Sequence, residues 1–425
     1  MRFITLLVLI ANFCKAQNLI INNVSVIPVS SNTIISNVNV YITNGIIEKI
    51  VPADTKLPFK EYKSVDGKGK FLMPGMVDMH AHFPEANSPI NLQEYLKLNL
   101  AAGVTTLRSM RGNERQLAIR DEINKQTQIA PEIFVSYVFP DDDSLLTKDK
   151  ISDMVFQAKI KKFDFVKYLG GLKPKNMAVL SQACYEYKIP LAGHAYNNSL
   201  QESIENDFTS IEHYQSVLAA FQKDAVAFSK NLEQLKQKNI GICPTLSFYR
   251  IFSFAYTEDE LNSRNGMDMM KPEVKAAWSK EYNEALTATK EQLKDEFANK
   301  LAMTGKKLDA FNTVLKLLAD QNVLLLLSAD ESAFNVPGYS MAEEMKLYAN
   351  AGLNNYQILK CATLNPALYF KNEKYYGSVE IGKKANLVLL NANPLEKIDN
   401  VKLVEGTVLN GKYFPLKEST SSKAK

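Results

Sequence analysis

Between Met76 and Asp330 the chain repeats one unit, a short apolar run followed by a longer amphipathic stretch, and few folds accept that rhythm. The runs are MVDMHAH (76–82), TTLRSM (105–110), EIFVSYV (132–138), DFVKYL (164–169), PLAGHAY (190–196), FTSIEHY (208–214), GICPTLSF (241–248) and VLLLLSAD (323–330). Stretches such as KNMAVLSQACYEYK and SMAEEMKLYANAG supply helical periodicity between and after them. Eight strand–helix units is the count of a (β/α)8 TIM barrel in the α/β class. An open doubly wound sheet alternates in the same way and stays open at this level.

The chain ends have another texture. LIINNVSVIPVS and VNVYITNGIIEKIV near the start, and GSVEIGKKANLVLLNANP and VKLVEGTVLNGKYF near the end, are β-rich runs. Asn-Asn, Ser-Ser and Asn-Gly pairs punctuate the first of them, and these are hairpin signals. They predict a small β-sandwich domain built from both termini, residues 17–73 and 373–416, around a barrel at 74–372. A charged, Met- and Lys-rich helical stretch at about 249–322 reads as an insertion, either a lid over the barrel mouth or decoration. The polar KESTSSKAK at 417–425 reads as a disordered tail.

MRFITLLVLIANFCKAQ combines a basic start, an apolar run from Phe3 to Phe13 and a small residue at Ala16. That is the pattern of a signal peptide over 1–16, with the mature chain starting at Gln17 and the protein exported, periplasmic or secreted. The run is short for a membrane span, so none is expected after cleavage. A retained anchor or a lipid on Cys14 is the alternative, with Phe13 a poor neighbour for such a site. Net charge is +4, or +2 once Arg2 and Lys15 leave 48 basic residues against 46 acidic ones. No basic stripe marks a nucleic-acid partner, which points to a small-molecule substrate; a homo-oligomer stays open. The three cysteines beyond the leader, Cys184, Cys243 and Cys361, are too few and odd in number for a disulfide framework.

Active sites of (β/α)8 barrels collect at the C-terminal ends of the strands, and there the four histidines of the chain fall. His80 and His82 end the first run, one face of a strand bringing i and i+2 together. His194 ends the fifth, His213 the sixth, and Asp330 the eighth. A lone histidine is more often a hydrogen-bonded structural residue; four at strand ends read as a metal site. A carboxylate after five apolar residues also needs a cation. Five ligands exceed what one open catalytic zinc takes, so the set suits two divalent ions. Lys167, at the end of the fourth run, is the candidate bridge: a lysine driven neutral there captures carbon dioxide as a carbamate with two oxygens. Imidazole and carboxylate donors make zinc the default metal.

The motifs MPGMVDMHAH, AAGVTTLRSM, DFVKYLGG, GHAYNNSLQESIENDFTSIEH, SADESAFNVPGYSMAEEMKLYANAGL, ATLNPA and GSVEIGKKANLVLLNANPL span nearly the whole mature chain. In this order they resemble the amidohydrolase superfamily, in the branch near prolidase-like dipeptidases and imidazolonepropionase. The resemblance implies His80 and His82 on a first metal, His194 and His213 on a second, a Lys167 carbamate between them, and Asp330 as ligand and proton shuttle. Ser109 and Asn386 depart from the family pattern, where aspartate is commoner.

The implied reaction is hydrolysis of an amide in a dipeptide or N-acyl amino acid, with Asp330 as general base and then acid. Tyr196, two residues past His194, is a candidate oxyanion donor. Of only seven arginines, Arg108, Arg111 and Arg250 fall at or just after the ends of runs two and seven, as candidates to bind a substrate carboxylate. Three rival classes stand beside this reading. A cyclic amidine deaminase of the single-metal kind would lack the strand-four lysine. A lactonase or phosphotriesterase would use the same site. A non-catalytic metal-binding assembly protein would tend to have lost ligands, and here all six are present.

Overall fold

The computed structural model describes residues 18–55, 61–125 and 129–416. The expected leader, with Cys14, and the expected tail at 417–425 lie outside the described residues. Five strands come first: β1 (Leu19–Val26), β2 (Ile35–Thr43), β3 (Ile46–Pro52), β4 (Lys63–Asp66) and β5 (Phe71–Pro74). Seven of the repeated runs follow as parallel neighbours: β6 (Met76–Ala81), β7 (Val104–Ser109), β8 (Glu132–Val138), β9 (Phe165–Tyr168), β10 (Leu191–His194), β11 (Phe208–Glu212) and β12 (Gly241–Cys243). Strands β6 and β7 are buried along their whole length, as strands between a filled barrel interior and a ring of helices must be.

The eighth run makes only one isolated bridge, Ile242 to Leu325, yet it closes the ring. On one side Leu326 N donates to Ile242 O (2.8 Å) and Ile242 N to Leu324 O (2.9 Å); on the other Met79 N donates to Leu327 O (3.2 Å). Bonding on both edges is what an open doubly wound sheet would lack, and the fold is a (β/α)8 barrel.

The chain ends meet as expected. Strands β13 (Leu387–Leu390), β14 (Val404–Leu409) and β15 (Lys412–Pro415) join the first five in one mixed sheet of order β15-β14-β13-β5-β1-β2-β3, with β4 beside β1. Its core draws on both ends: Leu19, Ile21, Val24, Val40 and Leu72 pack with Leu387, Leu389 and Val408. Each such side chain contributes about 1.5–3 kcal/mol when fully buried. Only Gly75 separates β5 from β6, and its N–H donates to Asn386 O (2.9 Å). The small domain therefore anchors the strand that carries His80. Asn386 belongs to this junction, its Oδ1 accepting from Asn410 N (2.8 Å).

The α-helices of residues 246–320 are Leu246–Ile251, Glu258–Asn262, Pro272–Leu293 and Phe297–Asp320. Thr257 and Glu260 form a capping box, and Pro272 occupies a first-turn position where its missing N–H costs nothing. Val274, Trp278 and Tyr282, spaced four apart, form the buried stripe of the third helix. Among the described residues no helix is long and apolar enough to cross a membrane, and Cys184, Cys243 and Cys361 are buried and free.

Candidate functional site

All six residues singled out for metal binding line one cavity of about 380 Å³: His80, His82, Lys167, His194, His213 and Asp330. Strand geometry puts them there. His80 lies in β6 and His82 just past it, their rings 5.3 Å apart and nearly parallel, as i and i+2 on one face require. Lys167 is in β9, His194 closes β10, and His213 follows β11. The His213 ring centre lies 4.9 Å from both the His80 and the His194 ring centres. Gly193, at φ +143°, makes the approach of β10 to β9 feasible, since a Cβ there would sit 2.1 Å from Tyr168 O.

Asp330 stands at the centre. Its Oδ1 is 3.4 Å from His82 Nε2 and its Oδ2 is 3.6 Å from His80 Nε2. Ligand atoms of these three residues all lie within 4.8 Å of one another. Three residues around the cavity hold left-handed backbones despite carrying side chains: His213 (φ +69°), Thr245 (φ +54°) and Asp330 (φ +57°). Such conformations cost on the order of 1–3 kcal/mol each and persist where the surroundings over-determine them.

The electrostatics prepare the imidazoles to be neutral. Burial, reinforced by Lys167, brings His82 down to about 3 and His194 down to about 4. Burial first, and neighbouring cationic groups second, push His80 and His213 well below the usual histidine range. The same burial lowers Lys167 and raises Asp330.

Tautomers follow from the partners. His194 Nδ1 lies 2.7 Å from Leu169 O, which can only accept, so Nδ1 carries the proton and Nε2 the lone pair. His80 Nδ1 likewise donates to Glu212 Oε2 (2.8 Å), and His213 Nδ1 pairs with Thr245 Oγ1 (2.7 Å). Hydrogen bonds of this kind orient histidines for metal binding in general. His82 Nε2 and Lys167 Nζ are buried without a hydrogen-bond partner among the described residues. Buried nitrogens without hydrogen-bond partners, set around a carboxylate, are a donor set that fits divalent cations.

Other expected residues sit elsewhere. Arg108 does not reach the cavity: fully buried, it donates to Glu212 Oε1 (3.0 Å), Met79 O (3.1 Å), Ser210 Oγ (2.8 Å) and Tyr369 Oη (2.9 Å). A guanidinium committed to those acceptors cannot bind substrate. Arg250 is turned to Asp309 (2.8 Å), away from the residues lining the cavity, because the chain leaves β12 after Cys243 and becomes helical at Leu246. Tyr196 is also outside that lining. Strand β10 stops at His194, a 3-10 turn begins at Tyr196, and alternation no longer puts i+2 on the same face; the ring packs 6.0 Å from Tyr168. Arg111 does line the cavity, exposed on its rim and 3.9 Å from Glu85.

Several contributors were not anticipated. Glu212 is buried in β11 and held by Arg108, His80 and Ser210 Oγ (2.6 Å). Its signal was present: an acid inside an apolar strand beside a histidine. Tyr249, Phe252 and Glu281 of the insertion line the cavity. Glu281 and Trp278 also line an adjoining cavity of about 410 Å³, which shares His82 and Arg111 with the first. Nothing local marks Trp278 and Glu281, because the long helix Pro272–Leu293 must fold back before it meets the mouth. Ser109, one departure from the family pattern, is buried and donates to Gln116 Oε1 (2.6 Å).

Comparison with known proteins agrees with this geometry. The fold is similar to a putative prolidase from Bifidobacterium longum (TM-score 0.71, 19% identity, 94% of this chain and 95% of that one). It is also similar to a Xaa-Pro dipeptidase crystallised with methionine in its active site (TM-score 0.69, 18% identity, 94% of this chain and all of that one). Imidazolonepropionase of Picrophilus torridus is 23% identical over 415 residues, covering 89% of this chain and 92% of the relative. The model of the amidohydrolase family matches residues 71–413, and the chain belongs to that family, as a hydrolase acting on carbon–nitrogen bonds.

Proposed function

We propose that this hydrolase cleaves the amide bond of a dipeptide or N-acyl amino acid at a centre holding two divalent cations, zinc by donor type. The observation that carries the reading is the single cavity into which four neutral imidazoles, Asp330 and the partnerless Lys167 Nζ converge. His80 and His82 would hold one ion and His194 and His213 the other, with Asp330 and a Lys167 carbamate completing the set. Bound cations supply a nucleophilic water near neutral pH and polarise a carbonyl oxygen. For the carbamate, the uncharged Lys167 amine adds to carbon dioxide and releases one proton. Burial without a hydrogen-bond acceptor favours that uncharged amine.

The rest of the chemistry belongs to side chains. Asp330 takes the proton of the attacking water and passes it to the leaving nitrogen. Its Oδ1 is oriented by Glu331 N (2.7 Å). Tyr249, whose hydroxyl burial pushes up to about 12, stays protonated and is the phenol that lines the cavity. Arg111 on the rim binds a free substrate carboxylate through its two-pronged fork. Similarity to a Xaa-Pro dipeptidase and a putative prolidase supports a peptide-like substrate.

The test is metal analysis of the purified protein with a substrate panel of dipeptides, N-acyl amino acids, lactones and phosphotriesters. Two metal equivalents and chelator-sensitive turnover of an amide are expected. Turnover confined to lactones or phosphotriesters, or a protein that retains no metal, would overturn the reading.

A further inference from the structure

The loop that follows Asp330 is held by one of its own side chains. Asn335, 2% exposed, donates from Nδ2 to both Ala329 O (3.0 Å) and Asp330 O (3.1 Å). Those carbonyls belong to the peptide planes on either side of the Asp330 Cα. One side-chain amide thus fixes both backbone dihedrals that aim the Asp330 carboxylate, at a residue whose φ is an unfavourable +57°.

The amide can do this only while its NH2 faces the loop, and its oxygen decides that. Asn335 Oδ1 accepts from Arg264 Nη2 (2.6 Å) and from Ser247 Oγ (2.9 Å). Arg264 also donates from Nη2 to Ser247 Oγ (2.7 Å) and from Nε to Phe334 O (3.0 Å), a second left-handed residue of the same loop at φ +65°. Buried Glu344 accepts from Leu246 N (2.8 Å) and Ser247 N (2.7 Å), which fixes the helix start that carries Ser247. Arg264 itself is 8% exposed and lies in the helical insertion, between the helices Glu258–Asn262 and Pro272–Leu293.

We infer that Arg264 is a positioning residue for Asp330, acting through Asn335, and that the insertion is thereby part of the catalytic apparatus. This rests on the assignment of Asp330 as proton carrier. A guanidinium is required because two donors on one rigid plane reach the amide oxygen and the Phe334 carbonyl together; an ammonium cannot span both. Loss of the clamp lets the Asp330 carboxylate drift, and a displacement of about 1 Å at a reacting group costs up to about a hundredfold in rate.

A kinetic double-mutant cycle on the metal-loaded protein tests this, using the best dipeptide of the panel. Arg264→Lys should lower kcat about ten- to a hundredfold with KM little changed. In an Asp330→Asn background the same substitution should change kcat less than about twofold, because its target is already disabled. Asn335→Asp keeps the acceptor for Arg264 but loses the donor to both carbonyls, and should reproduce the loss and its masking. Independently of activity, amide hydrogen exchange over residues 328–336 should quicken in Arg264→Lys. Equal losses in both backgrounds, wild-type kcat in either variant, or unchanged exchange would overturn the inference. Normal turnover by Asp330→Asn alone would instead refute the assignment of the base.

Discussion

Replacing Arg108 with methionine separates two roles that its position in the sequence left open. The guanidinium is fully buried, 4.4 Å from the Phe165 ring centre, and is the cationic partner of Glu212, which has no exposed side-chain surface. Methionine fills much of the volume but leaves that carboxylate without its counter-charge. Removing one partner of a buried pair costs about 3–5 kcal/mol. At about 2 °C per kcal/mol for a chain of this size, the apparent Tm should fall by about 6–10 °C.

The pH dependence gives the deficit a signature. Burial alone would raise Glu212, yet Arg108, with Lys167 and the Ser210 hydrogen bond, holds it below the usual carboxylate range. A depressed native pKa contributes stability that is present above the unfolded value, about 4.3, and lost as pH falls through the native one. Without Arg108 burial wins, the native pKa moves above the unfolded one, and ionising Glu212 costs stability. The deficit should therefore be full above the variant's raised native pKa and shrink as pH falls through it, and on through the unfolded value of about 4.3. Melting curves from pH 4 to 8, alongside kinetics on one peptide with free and amidated C-termini, decide the matter. A variant that melts within about 1 °C of wild type but loses its preference for the free acid would show that Arg108 binds substrate instead of holding Glu212.

Asp330→Asn should retain much of its metal and lose roughly 10²–10⁴ in kcat, read by steady-state kinetics and metal analysis together; comparable kcat would move the proton role elsewhere. Lys167→Ala should keep the fold and shed one metal equivalent with most activity, and a variant with two metals and normal turnover would exclude the carbamate. Arg111→Ala should reduce the preference for a free over an amidated C-terminus by about 1.5–3 kcal/mol, the value of a charged hydrogen bond. Equal kcat/KM for the two forms in the wild-type protein would remove the carboxylate from the substrate.

The barrel, the small β domain and the six cavity residues were legible along the chain because each depends on a local rule. Strand–helix alternation sets the architecture, and the C-terminal end of a parallel strand sets the address of a functional side chain. His80 and His82 needed only the two-residue period of a strand to share a face. Where such a rule ran past its range, it misled. Tyr196 lies beyond the last residue of β10, and Arg250 beyond the last residue of β12, so strand periodicity no longer aims them. Arg108 illustrates a different limit: periodicity gives the face of a strand but not the depth, and at 0% exposure the guanidinium pairs with Glu212 from a strand four places away. The Arg264–Asn335–Asp330 clamp and the insertion wall at Tyr249, Phe252 and Glu281 join residues distant in sequence. Only tertiary structure decides such contacts, because hydrogen-bond and burial partners are chosen by where long helices fold back, and no period along the chain encodes that distance.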